Sequence, residues 1–204
     1  MEDAFGGQVK GVIVRLKDHS TPDPSEGPRL SSIFPERDPN PYDVNPQKVC
    51  TDLSGMAGER TQALHAYWQG LNRGPGTPLA DDFKLMDIYK LASRLLLIDA
   101  VQAADGRLRH RYRYVGTKIV SYRVLRGLKD HTGTFADEAP RYYSGDYLTD
   151  SYQRCTVEAV PVLTTGSWQG AARSGRFERL AMPLFGSGGD VIRLAVVVDR
   201  FENE

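Results

Sequence analysis

The segment from Arg107 to Tyr114 alternates between arginine and leucine, histidine or tyrosine. Because successive side chains of a β-strand point to opposite faces, one face of this segment presents only guanidinium groups. Guanidinium groups bind carboxylates and phosphates through paired hydrogen bonds, so this face is a candidate docking surface for an acidic partner or an anion. A solvated outer face of a sheet is the ordinary alternative. The four arginines are Arg107, Arg109, Arg111 and Arg113.

The opposite face of the same segment presents His110, Tyr112 and Tyr114. A neutral imidazole in a cavity wall binds a ligand or responds to pH, whereas an ordinary histidine at a core edge bonds a backbone carbonyl. His131 raises the same two possibilities, and tyrosines in a later helix either offer hydroxyls to a cavity or pack in the core. The ligand-binding candidates are His110, Tyr112, Tyr114, His131, Tyr147 and Tyr152.

Residues for catalysis or metal binding do not occur in the spacings that such sites require. The glycine-rich run 186–189 lies between two predicted strands, whereas a phosphate-binding loop opens a helix. Cys50 and Cys155 are far apart and in no metal-type spacing. No pair of histidines has ligand spacing, and no nucleophile stands in a triad-like order. We therefore predict no catalytic residue and no metal ligand, and we assign no cofactor.

A β-hairpin must position the arginine face. An apolar run, Leu95–Val101, is followed by Asp105-Gly106 and then by the alternating segment. Asp-Gly between two strand-like runs predicts a hairpin with a type I′ turn, in which both central residues have positive φ. The sequence thus predicts an antiparallel hairpin with one wet face and one face turned inward.

Helical periodicity lies on both sides of this hairpin, and strand-like runs close the chain. Apolar residues at spacings of three and four predict the helices, and proline or glycine marks several of their ends. The predicted helices cover 59–73, 78–91, a short stretch after Gly116-Thr117, and Tyr143–Val160, and the closing strands cover Val162–Ala171, Arg176–Phe185 and Val191–Val198.

The first part of the chain differs in composition from the rest. Seven of the twelve prolines lie between Pro22 and Pro46. Such a stretch holds neither a helix nor a central strand, so we predict a linker or a surface-draped arm over 19–57. Residues 9–16 form either a short strand or irregular chain. The predicted domains are therefore an irregular arm over 1–57 and a folded domain over 58–204.

Composition is that of an ordinary soluble chain of 204 residues, with 26 basic and 26 acidic side chains and a formal charge of zero. This balance gives no indication of nucleic-acid binding. No apolar run reaches the length of a membrane span, and the N-terminus lacks the pattern of a signal peptide. We expect a cytoplasmic protein with reduced thiols and no membrane insertion.

From about Leu64 to Val198 the chain resembles the PAS fold, and specifically the bacterial PAS-like family first catalogued as a domain of unknown function, PAS_5. The resemblance covers about two-thirds of the chain and depends on the order and spacing of six segments. These are Leu64-x-x-Tyr67-Trp68, Leu95-Leu96-Leu97-Ile98-Asp99, Arg111-Tyr112-Arg113-Tyr114-Val115-Gly116-Thr117, Asp130-His131-Thr132-Gly133, Glu178-Arg179-Leu180-Ala181-Met182-Pro183-Leu184 and Val191–Val198.

The resemblance implies a five-stranded antiparallel sheet cupped by short helices, with a small internal cavity and a sensory or protein-interaction role. The element order independently favours an α+β fold with helices packed on one face of a single sheet, preceded by N-terminal helices and the Pro-rich arm. In PAS domains the outer sheet face is often a docking surface, which favours a partner over a free anion for the arginines. The family supplies no catalytic residues.

The expected function is that of a single-domain sensor or adaptor in bacterial signalling. It would bind a small ligand in the cavity, a signalling protein, or both, and form a homodimer through the N-terminal helix or the sheet face. Two alternatives stay open: a small enzyme with His110 and a tyrosine as acid and base, or a passive interaction module without ligand. Side chains that point apart would remove the enzyme alternative.

Overall fold

Ten helices and strands make up the part of the chain that the computed structural model describes, which is residues 43–125, 127–139, 147–169 and 174–202. The predicted element at 9–16 and the beginning of the predicted helix at 143 lie outside these ranges. The described elements are β1 (Asp43–Cys50), α1 (Glu59–Leu71), α2 (Tyr89–Ala92), β2 (Leu95–Gln102), β3 (Leu108–Val115), α3 (Thr117–Val124), α4 (Tyr147–Val157), β4 (Val162–Gln169), β5 (Ser174–Phe185) and β6 (Val191–Glu202).

The strands form one antiparallel sheet in the order β1-β4-β5-β6-β2-β3, which confirms the predicted α+β class. The sheet has six strands rather than the expected five. The additional strand, β1, lies within 19–57, where we predicted no regular structure. It pairs along β4 from Asp43 opposite Gln169 to Cys50 opposite Leu163. An edge strand tolerates Pro46, because a proline there need not donate a ladder hydrogen bond.

Helices cover both faces of the sheet, which corrects the prediction that they pack on one face. On the face that we name the α1 face, α1 packs against β5 and β6, and α2 contacts β2. On the opposite face, the α4 face, α4 crosses β3 to β6 and the side chains of α3 join the core. The unbroken buried run Leu95–Asp99 reflects this arrangement, since a strand covered on both faces has no polar alternation.

The hairpin of β2 and β3 is confirmed, but its turn is of another type. The Gly106 N–H donates to the Ala103 carbonyl at 2.9 Å, and Gly106 has a φ of 80°. Within the described ranges the single non-glycine residue with positive φ is Ala159, so Asp105 does not adopt the conformation that a type I′ turn requires. The loop is a type I turn followed by a left-handed glycine, a common three-residue connection.

A β-bulge changes the direction of one predicted site residue. Leu97 pairs with Tyr114, and the next residue, Ile98, pairs with Tyr112, which leaves Arg113 as the additional residue. Beyond the bulge the alternation is inverted. Tyr114 therefore packs on the α1 face, where its hydroxyl donates to the Ala92 carbonyl at 3.0 Å. The prediction that Tyr114 shares a face with Tyr112 is wrong.

The helix predicted over 78–91 is confined to the four residues of α2. The start of this stretch is instead bound to the end of β5. The Ala80 N–H donates to the Phe185 carbonyl at 2.8 Å, and the Phe185 N–H donates to the Pro78 carbonyl at 3.0 Å. The Pro78 carbonyl, which a helix from 78 would use as the acceptor of its first turn, thus bonds β5 instead, while Phe83 and Ile88 still reach the core. No helix in the described ranges is long and apolar enough to cross a bilayer.

Candidate functional site

Strand β3 and helix α4 bring His110 and Tyr152 together on the α4 face. The two ring centroids are 5.8 Å apart, and His110 is only 2% exposed. His110 Nε2 lies 3.0 Å from Thr156 Oγ1, and the Thr156 hydroxyl donates to the Tyr152 carbonyl at 2.9 Å. Because the hydroxyl proton is used in that bond, Oγ1 accepts from the imidazole, which assigns the ring proton to Nε2.

His131 reaches the same face from the loop after α3. Its ring meets Tyr112 edge-on, with centroids 4.1 Å apart and an interplanar angle of 78°. His131 is 5% exposed, yet its Nδ1 atom has no hydrogen-bond partner in the described part of the chain. A buried polar atom without a partner is uncommon in folded proteins, so Nδ1 is a candidate position for a hydrogen bond to a bound molecule.

Both imidazoles are neutral at pH 7. Burial lowers the pKa of His110 to about 4, and the charge of Asp137 opposes this only in part. Burial likewise lowers the pKa of His131 to about 4, and the positive charges of Arg123 and Arg179 act in the same direction. Each ring therefore offers one N–H donor and one lone pair rather than a cation.

Two residues that we did not predict, Arg179 and Thr164, extend this group. The Arg179 guanidinium lies 5.6 Å from the centre of the Tyr152 ring. Thr164 pairs with Arg179 across β4 and β5, and its fully buried hydroxyl has no hydrogen-bond partner within the described ranges. The sequence feature that could have placed Arg179 on this face is the side-chain alternation along the apolar run of β5. We name the following residues the α4-face cluster: His110, Tyr112, His131, Tyr152, Thr164 and Arg179.

Of the predicted ligand-binding residues, four therefore lie in the α4-face cluster. Tyr114 lies on the other side of the sheet, as described above. Tyr147 begins α4, and its side chain is outside the described residues. The cluster joins residues from strands, a loop and a helix that are distant in sequence, and it has neutral polar groups among aromatic rings. Such a setting suits a small polar ligand better than a metal ion.

Two buried carboxylates hold helix α1 on the opposite face. Glu178 accepts the N–H groups of Ala57 and Gly58 at 2.9 and 2.8 Å and the Thr61 hydroxyl at 3.0 Å. Asp199, directly across from Glu178 on β6, accepts the Arg60 N–H at 2.7 Å and pairs with its guanidinium. These acceptors serve N–H groups that the first turn of a helix leaves free, and they complement its positive end.

The four predicted docking arginines divide into two pairs. The Arg107 side chain forms an ion pair with the turn residue Asp105 and is 74% exposed, so its contact stabilises the hairpin turn. The Arg109 guanidinium bonds Asp137 and Glu138 and lies 3.8 Å from the centre of the Phe135 ring. These contacts attach the segment after His131 to the edge of β3.

Arg111 and Arg113, in contrast, approach the buried Asp99 of β2. They share this carboxylate with Arg193 of β6, which sequence reasoning did not include. Neither segment alone predicts the contact between Asp99 and Arg193, because it depends on which strand lies beside β2.

Neither the acidic groups nor the core thiol of the described residues forms a reactive centre. In the described residues no set of three or more His, Cys, Asp or Glu side chains is arranged to hold a metal ion. Cys155 is a free thiol in the core, and burial raises its pKa far above the usual range, which makes it a poor nucleophile.

Comparisons of the chain with protein-family models, with curated proteins and with solved structures found no match.

Proposed function

We propose that this protein is a PAS-like sensor or adaptor of bacterial cytoplasmic signalling, which binds a small polar ligand at the α4-face cluster. The observation that carries the proposal is the buried Nδ1 of His131, which has no hydrogen-bond partner among the described residues. The order of elements also supports it, since strands β2 to β6 form an antiparallel sheet with α3 and α4 between β3 and β4.

The ligand's chemistry follows from the cluster. An unsatisfied buried polar atom costs about 1–3 kcal/mol, which a ligand that completes the hydrogen bond would offset. His131 Nδ1 and Thr164 Oγ1 offer two such positions, while Tyr112 and Tyr152 offer aromatic surface. A small, flat molecule with polar substituents meets both requirements.

Strand β5 provides a route from the ligand to helix α1. Arg179 stands in the α4-face cluster, and its neighbour Glu178 points to the other face and holds the start of α1. A displacement of β5 at Arg179 therefore moves an acceptor on which α1 depends. In this proposal a ligand-dependent change at α1 alters a homodimer or a contact with a signalling protein.

The enzyme alternative has one feature in its favour, because His110 and Tyr152 lie together rather than apart. Its chemistry is poor, however. An acid–base group works best with a pKa near the working pH, whereas burial holds the pKa of His110 at about 4. Sensing requires only a neutral donor and acceptor, so it fits this imidazole better. A passive interaction module would not explain why His131 Nδ1 and Thr164 Oγ1 are buried without hydrogen-bond partners among the described residues.

Native mass spectrometry of the full chain, as purified from cells, tests ligand binding and oligomeric state together. We expect a non-covalent adduct that is absent under denaturing conditions. His131→Leu should lose the adduct, because it removes Nδ1. His65→Leu is the matched control, since His65 lies on α1 outside the cluster, and it should retain the adduct. If the wild-type protein carried no adduct, ligand binding would be contradicted and the passive interaction module would be the better interpretation.

Hydrogen exchange tests the route to α1. We expect the amides of 57–64 to exchange at different rates in the adduct-bound and adduct-free protein. Glu178→Gln should reduce that difference, because an NH2 donor replaces one of the two oxygens that accept the N–H groups of Ala57 and Gly58 and connect β5 to α1. Equal exchange in the two wild-type forms would contradict α1 as the output element.

A further inference from the structure

Three arginines from two strands surround a single buried carboxylate on the α1 face. Arg193 Nε donates to Asp99 Oδ1 at 2.8 Å. Arg111 and Arg113 approach the other oxygen, Oδ2, from 3.6 and 3.5 Å. Strand pairing explains the convergence, because Asp99 is directly opposite Arg111 on one side and Arg193 on the other. We name these four residues the Asp99 cluster.

The charges of this cluster do not balance. Three guanidinium groups face one carboxylate, and within the described ranges no other acidic side chain pairs with Arg111, Arg113 or Arg193. The neighbouring acids Asp137 and Glu138 are already bound by Arg109. Among the described residues, the cluster therefore carries a surplus of about two positive charges, on a chain whose formal charge is zero.

The surplus charge belongs to the exposed arginines. The side chains of Arg111 and Arg113 are 46% and 56% exposed, whereas those of Arg193 and Asp99 are 18% and 11% exposed. Distances of 3.5 to 3.6 Å are too long for good hydrogen bonds, so both exposed guanidinium groups keep most of their donors for another acceptor. If they turned outward, Arg193 would still neutralise Asp99.

We infer that the Asp99 cluster is the docking point for an acidic segment of a partner protein, in which two carboxylates replace Asp99 as acceptors for Arg111 and Arg113. This inference deepens the proposed adaptor role and depends on it. A bidentate arginine–carboxylate contact supplies specificity for carboxylates. The bulge at Arg113 breaks the regular repeat, but both guanidinium groups still approach the same oxygen of Asp99 and so lie close together on one side of β3. They suit an extended segment with acidic residues at alternate positions, because such a segment presents neighbouring carboxylates on one side.

The test uses the full chain and a fluorescent ten-residue peptide of alternating glutamate and threonine, measured by fluorescence anisotropy. We expect saturable binding that weakens with added salt, and none to the peptide with glutamine in place of glutamate. The double variant Arg111→Gln, Arg113→Gln should bind at least about tenfold more weakly. Arg107→Gln is the matched control, as it removes one exposed arginine of the same hairpin, and its affinity should stay within about twofold.

Four outcomes would overturn the inference. The first is that the wild type shows no saturable binding, and the second is that the double variant binds as well as the wild type. The third is that Arg107→Gln loses as much affinity as the double variant. The fourth is that millimolar phosphate displaces the peptide completely, which would indicate a small-anion site. Circular dichroism and thermal unfolding verify the fold of each variant. Arg111→Lys, Arg113→Lys adds a variant that keeps the charge but loses bidentate contacts, and we expect intermediate affinity. Retention of the native adduct reports on the α4-face cluster separately, so the two failures are distinguishable.

Discussion

His110 and His131 make the stability of the fold sensitive to moderate acid. In the folded chain each pKa is held near 4 by burial, whereas an unfolded histidine titrates near 6.5. Between these values the unfolded state binds more protons, so stability is complete above about pH 6.5 and is lost as the pH falls towards 4. The loss is at most about 1.4 kcal/mol per pH unit for each ring.

Urea unfolding at pH 7, 6 and 5 measures this effect. We expect the free energy of unfolding to fall more steeply with decreasing pH in the wild type than in the double variant His110→Gln, His131→Gln. The carboxylates titrate in both proteins, so the difference between the two curves isolates the imidazoles. Parallel curves would show that the rings are hydrated in the folded state.

Glu178 is the second residue with a large expected effect. Replacement by glutamine removes the negative charge and puts an NH2 donor in place of one of the two oxygens that accept from two backbone N–H groups and the Thr61 hydroxyl. We expect Glu178→Gln to lower the free energy of unfolding by about 2–3 kcal/mol, because hydrogen bonds to a buried charged group are strong and their donors stay buried. Denaturant unfolding at pH 7 provides the measurement.

Asp52→Asn is a suitable comparison for that variant. Asp52 also accepts a backbone N–H, from Ser54 at 2.9 Å, but it lies in an exposed turn. We expect a change within about 0.5 kcal/mol. A similar loss in both variants would mean that the burial of Glu178 contributes little.

Side-chain alternation predicted the residue-scale features only where the strand is regular. His110 and Tyr112 are buried on one face of β3, as the alternation requires. Tyr114 fails this expectation because of the bulge at Arg113, which no local signal marks. Thr164 and Arg179 join the cluster through pairing between strands, and such pairing cannot be read from either segment alone.

At the scale of elements, local periodicity predicted the positions of most strands, but it did not predict that helices cover both faces of the sheet. β2 and the three closing strands lie where strand-like apolar runs predicted them, and β3 lies where the alternating segment predicted it. β1 was missed because its composition is that of a loop, and only its partner β4 makes it a strand. The helices on both faces were signalled by the doubly buried runs of β2 and β6, which lack alternation.

The β5–β6 ladder makes a contact that permits only glycine at position 175. A Cβ atom there would overlap the Phe201 carbonyl oxygen and lie 2.9 Å from Trp168 Nε1. The backbone oxygen cannot move without breaking the ladder. We therefore expect Gly175→Ala to lower the free energy of unfolding by about 3 kcal/mol or more, measured by denaturant titration.

Gly55→Ala serves as its control, because a Cβ atom at that position would meet nothing within 4 Å. We expect little change or a slight gain in stability from the more restricted unfolded chain. If Gly175→Ala were as stable as this control, the close approach of β6 to Gly175 would be incorrect.

At the scale of the whole molecule, the balance of charge predicts solution behaviour. The formal charge is zero at pH 7 and the sequence pI is about 6.9. Molecules without net charge repel one another least, so solubility at low salt should be lowest near pH 7 and rise by pH 8.5. Precipitation with polyethylene glycol across this range measures it. A steady fall in solubility towards pH 8.5 would contradict the expectation.

The order of strands also determines when the sheet can be completed during synthesis. β1 is made well before its partner, because Cys50 pairs with Leu163, more than a hundred residues later. At about 5–20 residues per second, β1 waits on the order of ten seconds for its partner. β6, the last of the described strands in chain order, lies between β5 and β2 and joins the two halves of the sheet. The described sheet is therefore completed only after β6 has left the ribosome, and until then the backbone groups of β2 and β5 that pair with β6 are unpaired and accessible to chaperones.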